Sequence, residues 1–410
     1  MHLLLSSPLI PMASTSILRS LANLISSSVD IIEERVHVPD LDLAYHECEV
    51  SDNGFNDPAV TDAISCIIAA TAQLVATIRP ANLTLISTAM MIHVPAALRT
   101  VTDLHVAEIL RDAGPQGLHI RKISALCRTS PRKLARILRL LATEHIFKEV
   151  TPDVFANNRI SSLLDTGKSI DRLIESPQCK LDGGVGIAAF VSHTGGYSLK
   201  FTSYLAETMQ DPLFAHSEDH VKAPFNYALK TDLPFWQWLD LPENEYERRK
   251  FGLAMTCAPL HSMLEGFEWG LLPKNSLVVD VGGGVGMATL PVAKDRPKFV
   301  QDARKLWKEQ LPNAVMHDFF ESQPIQAADV YLLRWIMHDW NDSLCINILK
   351  RLRKAAGPRT KLLIHSFASG IVDAGYGEWP GADESASFSD ILEIAGWKIE
   401  EHIIAIPAIL

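Results

Sequence analysis

The stretch VVDVGGGVGMATL, residues 278–290, limits how this chain folds more than any other. A run of β-branched residues passes through a cluster of glycines directly into a helical pattern, which is a strand–turn–helix unit. Similar short apolar runs follow: KFVQD (Lys298 to Asp302), NAVMHDFF (Asn313 to Phe320), DVYLL (Asp329 to Leu333) and KLLIHSF (Lys361 to Phe367), while SLVVDV (Ser276 to Val281) leads into the glycines. Helical or turn segments separate them. That alternation predicts an open, doubly wound parallel sheet with helices on both faces, whose ligands bind at the carboxyl ends of the strands.

The glycine spacing selects the ligand. A dinucleotide loop wants a small residue where this chain has Met287, whereas the pattern acid-x-Gly-x-Gly-x-Gly is satisfied by Asp280, Gly282, Gly284 and Gly286. Glycines let the backbone approach a ligand closely and leave their N–H groups free to bond it. An acid ahead of the loop repels a pyrophosphate but attracts an ammonium group. S-adenosylmethionine is therefore favoured over NAD. Asp302, ending the second strand, is positioned to accept hydrogen bonds from both ribose hydroxyls. Asp318, ending the third, can take the adenine amino group while Phe319 covers the ring.

The fourth strand runs into YLLRWIMHDWND, Tyr331 to Asp342. Asn341 or Asp342 can cap the helix that follows, whose apolar face is Leu344, Cys345, Ile348, Leu349 and Leu352, and which Gly357 and Pro358 stop. His338 thus lies in a short connection at the same sheet edge as the glycines. There it can serve as a general base; a purely structural histidine is the simpler alternative. Asp339 can orient the ring or cap the helix, and Trp335 and Trp340 are expected to be packing residues.

With 410 residues, two domains are the default, and 47% hydrophobic with 21% charged residues describes a globular chain. The net charge of −10 argues against nucleic acid as the main partner. Cys48, Cys66, Cys127, Cys179, Cys257 and Cys345 are scattered, with no C-x-x-C pair, so reduced thiols in a cytoplasmic protein and no metal site are expected. The N-terminal MHLLLSSPLIPM lacks a basic region, is broken by Pro8 and Pro11 and is too short to span a bilayer. Ala63 to Ile78 reads as a helix apolar around much of its circumference, which needs partners on more than one side. A dimer interface or a large core would supply them. From Asp103 to Ile160, three short helices and a hairpin form a winged-helix pattern, the third helix starting with Ser130 as cap and Pro131. Its outer face carries Arg132, Lys133, Arg136 and Arg139, either a solvated basic face or a DNA-reading one. Residues 183–272 alternate helical patterns with aromatic loops such as PFWQWLDLP. The expected division is an all-α and winged-helix domain over 1–175 and an α/β domain over 176–410, with a helical linker at 176–272 and the nucleotide-binding core at 273–410.

VDVGGGVG, HDFFE and LLRWIMHDWND together resemble the class I S-adenosylmethionine-dependent O-methyltransferases of the plant caffeate and flavonoid type and their fungal relatives. The resemblance extends loosely over nearly the whole chain. It implies a Rossmann-like methyltransferase domain preceded by a winged-helix dimerisation domain, His338 as catalytic base, Asp302 on the ribose, Asp318 and Phe319 at the adenine, and Arg334 where the family has a lysine near the cofactor. Family members are homodimers that methylate phenolic hydroxyls, which disfavours the DNA reading. Three places are shorter than the family pattern. Ser366 stands where the first of two histidine-holding acids belongs, and the second falls at Ala382, beside Asp383 and Glu384. The loop after Asp302 is short, and WKIEEHIIAIPAIL joins two strand-like runs without turn residues between them. Loss of acceptor-pocket segments is therefore expected, with a catalytically impaired, cofactor-binding relative as the alternative function.

Overall fold

The computed structural model describes residues 16–38, 41–42, 57–183, 186–257, 267, 269–274, 276–283, 318–365 and 388–398. They fall into two compact units, 1–165 and 166–410.

In the first unit, α1 (Ile17–Glu33) begins at Ser16, whose hydroxyl accepts the Arg19 N–H at 3.3 Å. α2 (Pro58–Ile78) begins at Asp57, whose carboxylate accepts from Ala59 N at 2.9 Å, with Pro58 at the first helical position, where its missing N–H costs nothing. The two helices pack through Ile32, Val60 and Ala63. Only one side of the apolar α2 is covered in this way, and Ile68 and Ile78 face outward. α3 (Ala81–Met90) buries none of its residues, and Leu85, Ile86, Met90 and the following Met91 are exposed. Pro58–Ile78 and Ala81–Asp103 are each long and apolar enough to cross a membrane, by length and composition alone.

α4 (His93–Asp103) and α5 (Val106–Ala113) lead to β1 (Leu118–His119), α6 (Ile120–Leu126), α7 (Pro131–Thr143), β2 (Lys148–Thr151) and β3 (Val154–Ala156). The strands form an antiparallel sheet in the order β1-β3-β2, irregular between Glu149 and Thr151. α7 buries Leu134, Ala135, Leu138 and Leu141, the helical spacing that a single apolar stripe requires. Ser130 occupies its N-cap with extended backbone, but the expected hydroxyl cap is not made; only its carbonyl is used, accepting from Leu134 N at 3.0 Å. On the outer face Arg139 is committed to the hairpin, its Nη2 bonding Glu149 at 2.8 Å and Asp153 at 2.7 Å, while Arg132, Lys133 and Arg136 are exposed.

The second unit opens with α8 (Ile170–Glu175), α9 (Gly186–His193), α10 (Leu199–Thr202), α11 (Leu205–Gln210), α12 (Pro212–Ala215), α13 (Pro224–Leu229), α14 (Phe235–Leu239) and α15 (Glu245–Ala254). PFWQWLDLP, expected as a loop, is largely helical in α14. Edge-to-face contacts hold it there: Phe235 and Trp238 each meet Phe225 at 5.3–5.4 Å, and Phe235 meets Phe251 at 5.4 Å. Such packing overrides the weak helix propensity of aromatic residues.

β4 (Val278–Val281), β5 (Val330–Arg334) and β6 (Lys361–His365) make a parallel sheet in the order β4-β5-β6. Val330, Tyr331, Leu332 and Leu333 of the central strand are all buried, as expected of a strand covered on both faces. The Tyr331 hydroxyl donates to Ile325 O at 2.6 Å, so its polar tip is satisfied inside the core. Between β5 and β6 runs α16 (Asp342–Ala355), which lays Cys345, Ile348, Leu349 and Leu352 onto the sheet. α17 (Phe388–Ile394) ends at Gly396, where φ is +84°, and Trp397 then donates its ring N–H to Leu349 O at 3.0 Å. The expected strands at 298–302 and 313–317 lie outside the described residues, and Asp318 to Phe320 form a turn rather than the end of a strand.

Candidate active site at the carboxyl edge of the parallel sheet

Chain geometry brings the exits of β4 and β5 together. The strands are paired in register, Asp280 beside Leu332 and Val281 beside Leu333, so both chains leave the sheet at the same edge. Gly282 turns with φ +72°, a conformation that favours glycine. A Cβ at Gly282 would collide with Ile336 Cδ1 and lie 3.5 Å from Phe319 Cε1. A Cβ at Gly283 would meet the Asp280 carboxylate, with Cγ at 2.5 Å. Hence the glycine turn, Phe319 and the segment carrying His338 form one packed group.

That segment leaves β5 by an unusual bend. Trp335 adopts φ +56°, which costs a bulky residue about 1–3 kcal/mol. Its N–H donates to His365 O at 2.8 Å, extending the β5–β6 ladder by one bond before the chain turns away. Ile336 and Met337 then anchor the segment in the core, and a single 3₁₀ turn, Met337–Asp339, presents His338 at the surface. The His338 side chain is 31% accessible, and its Nε2 lies 3.5 Å from Asp339 Oδ1. Asp339 is pushed above the ordinary carboxylate range by burial, against the opposing pull of His338. Its side chain is nevertheless 40% accessible, so dense protein on its inner side rather than full enclosure causes the rise.

Helix α16 is capped by Asn341, not Asp339: Asn341 Oδ1 accepts from Leu344 N and from Ser343 Oγ, both at 2.9 Å. The Asn341 amide also donates to Glu218 O at 2.7 Å, tying the segment after α12 to this turn. Beside it Trp340 meets Phe320 at 4.7 Å, Phe319 at 5.8 Å and His220 at 5.9 Å, the packing role expected of it.

Arg334 ends β5 opposite His365. Its guanidinium carbon lies 4.5 Å from the Trp335 ring centre, a cation–π contact. Nε and Nη2 are buried and make no hydrogen bond among the described residues. Burial disfavours its charge, whereas Asp280 and Cys257 favour it. The same burial raises the Cys257 thiol and lowers His365, with Arg334 acting on both. Asp318 is exposed and accepts from Phe320 N at 2.9 Å, a local turn bond that sets the direction of Phe319.

Of the residues singled out from sequence, Asp280, Gly282, Phe319, Arg334 and His338 gather at this edge, with Asp318 at its outside. Gly284, Gly286, Asp302, Ser366, Ala382, Asp383 and Glu384 lie outside the described residues. Cys257, His365 and the clasp between Asn341 and residue 218 were not anticipated. A histidine near the end of the fifth expected strand was a usable signal; nothing in the local sequence points to the other two.

A glycine turn leaving the first strand of a parallel sheet, with a half-buried cation and a histidine turn on the neighbouring strand, is the arrangement of a class I methyltransferase. The comparisons agree. Residues 243–375 match the O-methyltransferase domain family and residues 86–167 the O-methyltransferase dimerisation domain. An O-methyltransferase of Armillaria gallica is 42% identical over 380 residues, covering 85% of this chain and 80% of that protein. The 4-O-methyltransferase 1 of Phanerochaete chrysosporium is 35% identical over 396 residues, covering 89% and 83%. The fold is shared with the mitomycin 7-O-methyltransferase MmcR, at TM-score 0.55 and 24% identity over 78% of this chain and 93% of that one. It is shared also with human N-acetylserotonin methyltransferase in complex with SAM, at TM-score 0.52 and 20% identity over 70% and 79%. The chain belongs to the class I S-adenosylmethionine-dependent O-methyltransferases of the caffeate and flavonoid type. It is an enzyme whose methyl donor is S-adenosylmethionine.

Proposed function

We propose that the chain methylates the hydroxyl of a small phenolic acceptor, with His338 as general base. One observation carries this reading: Gly282 packs on Ile336, two residues before His338, so the donor turn and the base turn share a wall. The residues present suit the donor. Gly282 and Gly283 leave a cradle that a Cβ would fill, Asp280 offers an anionic partner for an ammonium group, Phe319 offers an aromatic face, and the Arg334 guanidinium has donors to spare. Gly284, Gly286, Asp302 and Asp318 complete the proposed donor set. The bound donor supplies an electrophilic methyl group on a sulfonium.

His338 then handles the proton. A phenol titrates near ~10 and an imidazole near ~6.5, so removing the proton in advance costs roughly 5 kcal/mol. The proton therefore passes to the ring as the new C–O bond forms. With a third of its surface accessible, His338 can release that proton to solvent after each turnover. Ile336, Met337 and Trp340 hold the turn against the core, so positioning contributes beside acid–base chemistry.

The reading is tested by incubating the full chain with isotopically labelled S-adenosylmethionine and a mixed library of phenols, and reading acceptor masses. Labelled aryl methyl ethers are expected. Donor binding by calorimetry without any labelled product would instead select a cofactor-binding relative that has lost turnover.

We propose further that two copies associate through the apolar face of α2 and α3, which a dimer would remove from water. Replacing Leu85 and Ile86 together with Asp is expected to convert a dimer to a monomer in light scattering. A dimer that persists in that variant rejects this face as the interface.

A further inference from the structure

We infer that Asp339 is the positioning residue for His338, holding the imidazole by its Nε2 and sharing the charge that the ring acquires during methyl transfer. The inference rests on the reading of His338 as base.

Three observations support it. First, the two side chains project from one 3₁₀ turn whose backbone is fixed at both ends. Asp339 N donates to Ile336 O at 3.1 Å, Trp340 N to Met337 O at 3.4 Å, and the Cys345 thiol donates to Met337 O at 3.3 Å. Second, Asp339 has been relieved of the alternative duty its sequence position suggests. Asn341 caps α16 with its oxygen and clasps residue 218 with its nitrogen, so the Asp339 carboxylate is left over. Third, the only charged partner Asp339 has among the described residues is His338, at 3.5 Å, a contact that becomes an ion pair when the ring takes up a proton. Burial raises the Asp339 carboxyl and His338 pulls it back down, so the two groups act on each other in the direction an ion pair requires.

The chemistry follows from which nitrogen is engaged. With Nε2–H turned to Asp339, Nδ1 is the nitrogen that takes the acceptor's hydroxyl proton. The acceptor oxygen bonds the methyl carbon, the S–C bond breaks with its electron pair going to sulfur, and the hydroxyl proton ends on Nδ1. The resulting imidazolium lies beside a carboxylate, then loses its proton to solvent.

Other ionisable groups face this turn. On α16 they are Asp342 and Cys345, whose thiol is pushed up to about 11 by burial, with Asp342 and Asp339 adding to it, so that it stays neutral through the working range. In the segment across from Trp340 they are Asp219 and His220. Among the described residues, only Asp339 is paired with His338 itself.

The sign of the effect is fixed. A carboxylate raises the pKa of a neighbouring imidazole, and the base must be deprotonated to work, so the acidic limb of the pH–rate profile reports that pKa. Removing the charge with Asp339→Asn should move this limb to lower pH and lower the plateau kcat by about three- to tenfold. Affinity for S-adenosylmethionine and the acceptor KM should stay within about twofold. Asp339→Glu should restore the limb in part, and His220→Asn should leave it in place.

The experiment is the pH dependence of kcat and kcat/KM for wild type and these variants on one acceptor found in the library, with His338→Ala measured alongside. If Asp339→Asn leaves the limb unmoved, or raises acceptor KM alone, Asp339 does not act through His338 and the inference fails. If His220→Asn moves the limb as far, the charge belongs to the other segment and the inference fails equally. If Asp339→Asn does not fold, Asp339→Ser takes its place: a limb moved to lower pH supports the pairing, and an unmoved limb rejects it. Should His338→Ala keep full turnover, it is the base assignment that falls, a result separable from all of these.

Discussion

Replacing His338 with Ala is expected to lower kcat by about 10²- to 10⁴-fold while S-adenosylmethionine affinity remains within about twofold of wild type. The split follows from where the side chain sits. His338 lies at the surface end of its turn, whereas Ile336 and Met337 make the contacts that reach the core and the glycine turn. Truncation at 338 therefore removes a proton acceptor without disturbing the wall against Gly282. The measurement is single-turnover rate and calorimetric affinity on the same preparation. Turnover within a fewfold of wild type would reject His338 as the base. A parallel collapse in donor affinity would show the turn to be structural.

Gly282→Val is expected to produce the opposite pattern, with donor binding lost first. The substitution places a β-branched residue at φ +72° and drives its Cβ into Ile336. Backbone strain of about 1–3 kcal/mol and overpacking of a further 1–3 kcal/mol together destabilise the fold by roughly 2–6 kcal/mol, and a turn that shifts to relieve them no longer leaves the cradle for the donor. Because Ile336 precedes His338 by two residues, turnover at saturating donor should also fall. Calorimetry and thermal unfolding with and without S-adenosylmethionine check this. Donor affinity within threefold of wild type would mean that the turn does not need glycine and lies away from the donor.

Within the described residues, the strands of the parallel sheet were readable from the sequence. The run Val330 to Leu333 is apolar at every position because the central strand is covered on both faces, and such a strand announces itself without alternation. Asn341 as helix cap and the apolar stripe of α16 follow from local chemistry acting over three to four residues. Elsewhere the deciding interactions are distant. PFWQWLDLP becomes helical only because Phe225 and Phe251 receive its rings. Ser130 has capping chemistry but leaves its hydroxyl out of the cap. The left-handed backbone of Trp335 has no residue-level signal at all, since tryptophan is among the last residues one would assign there. At the site, the residue types and their sheet edge were legible, but the partner of His338 was not. Asp339 had two possible duties, and only the assignment of the cap to Asn341 distinguishes them.

The bond from Asn341 to the carbonyl of residue 218 spans 123 positions of sequence and uses a backbone acceptor. Any side chain is tolerated at 218 as far as that bond is concerned, so the segment can vary in composition while staying riveted beside the base. Exchanges at 218 should therefore leave the clasp in place, whereas altering Asn341 would unfasten it and uncap α16 in a single stroke.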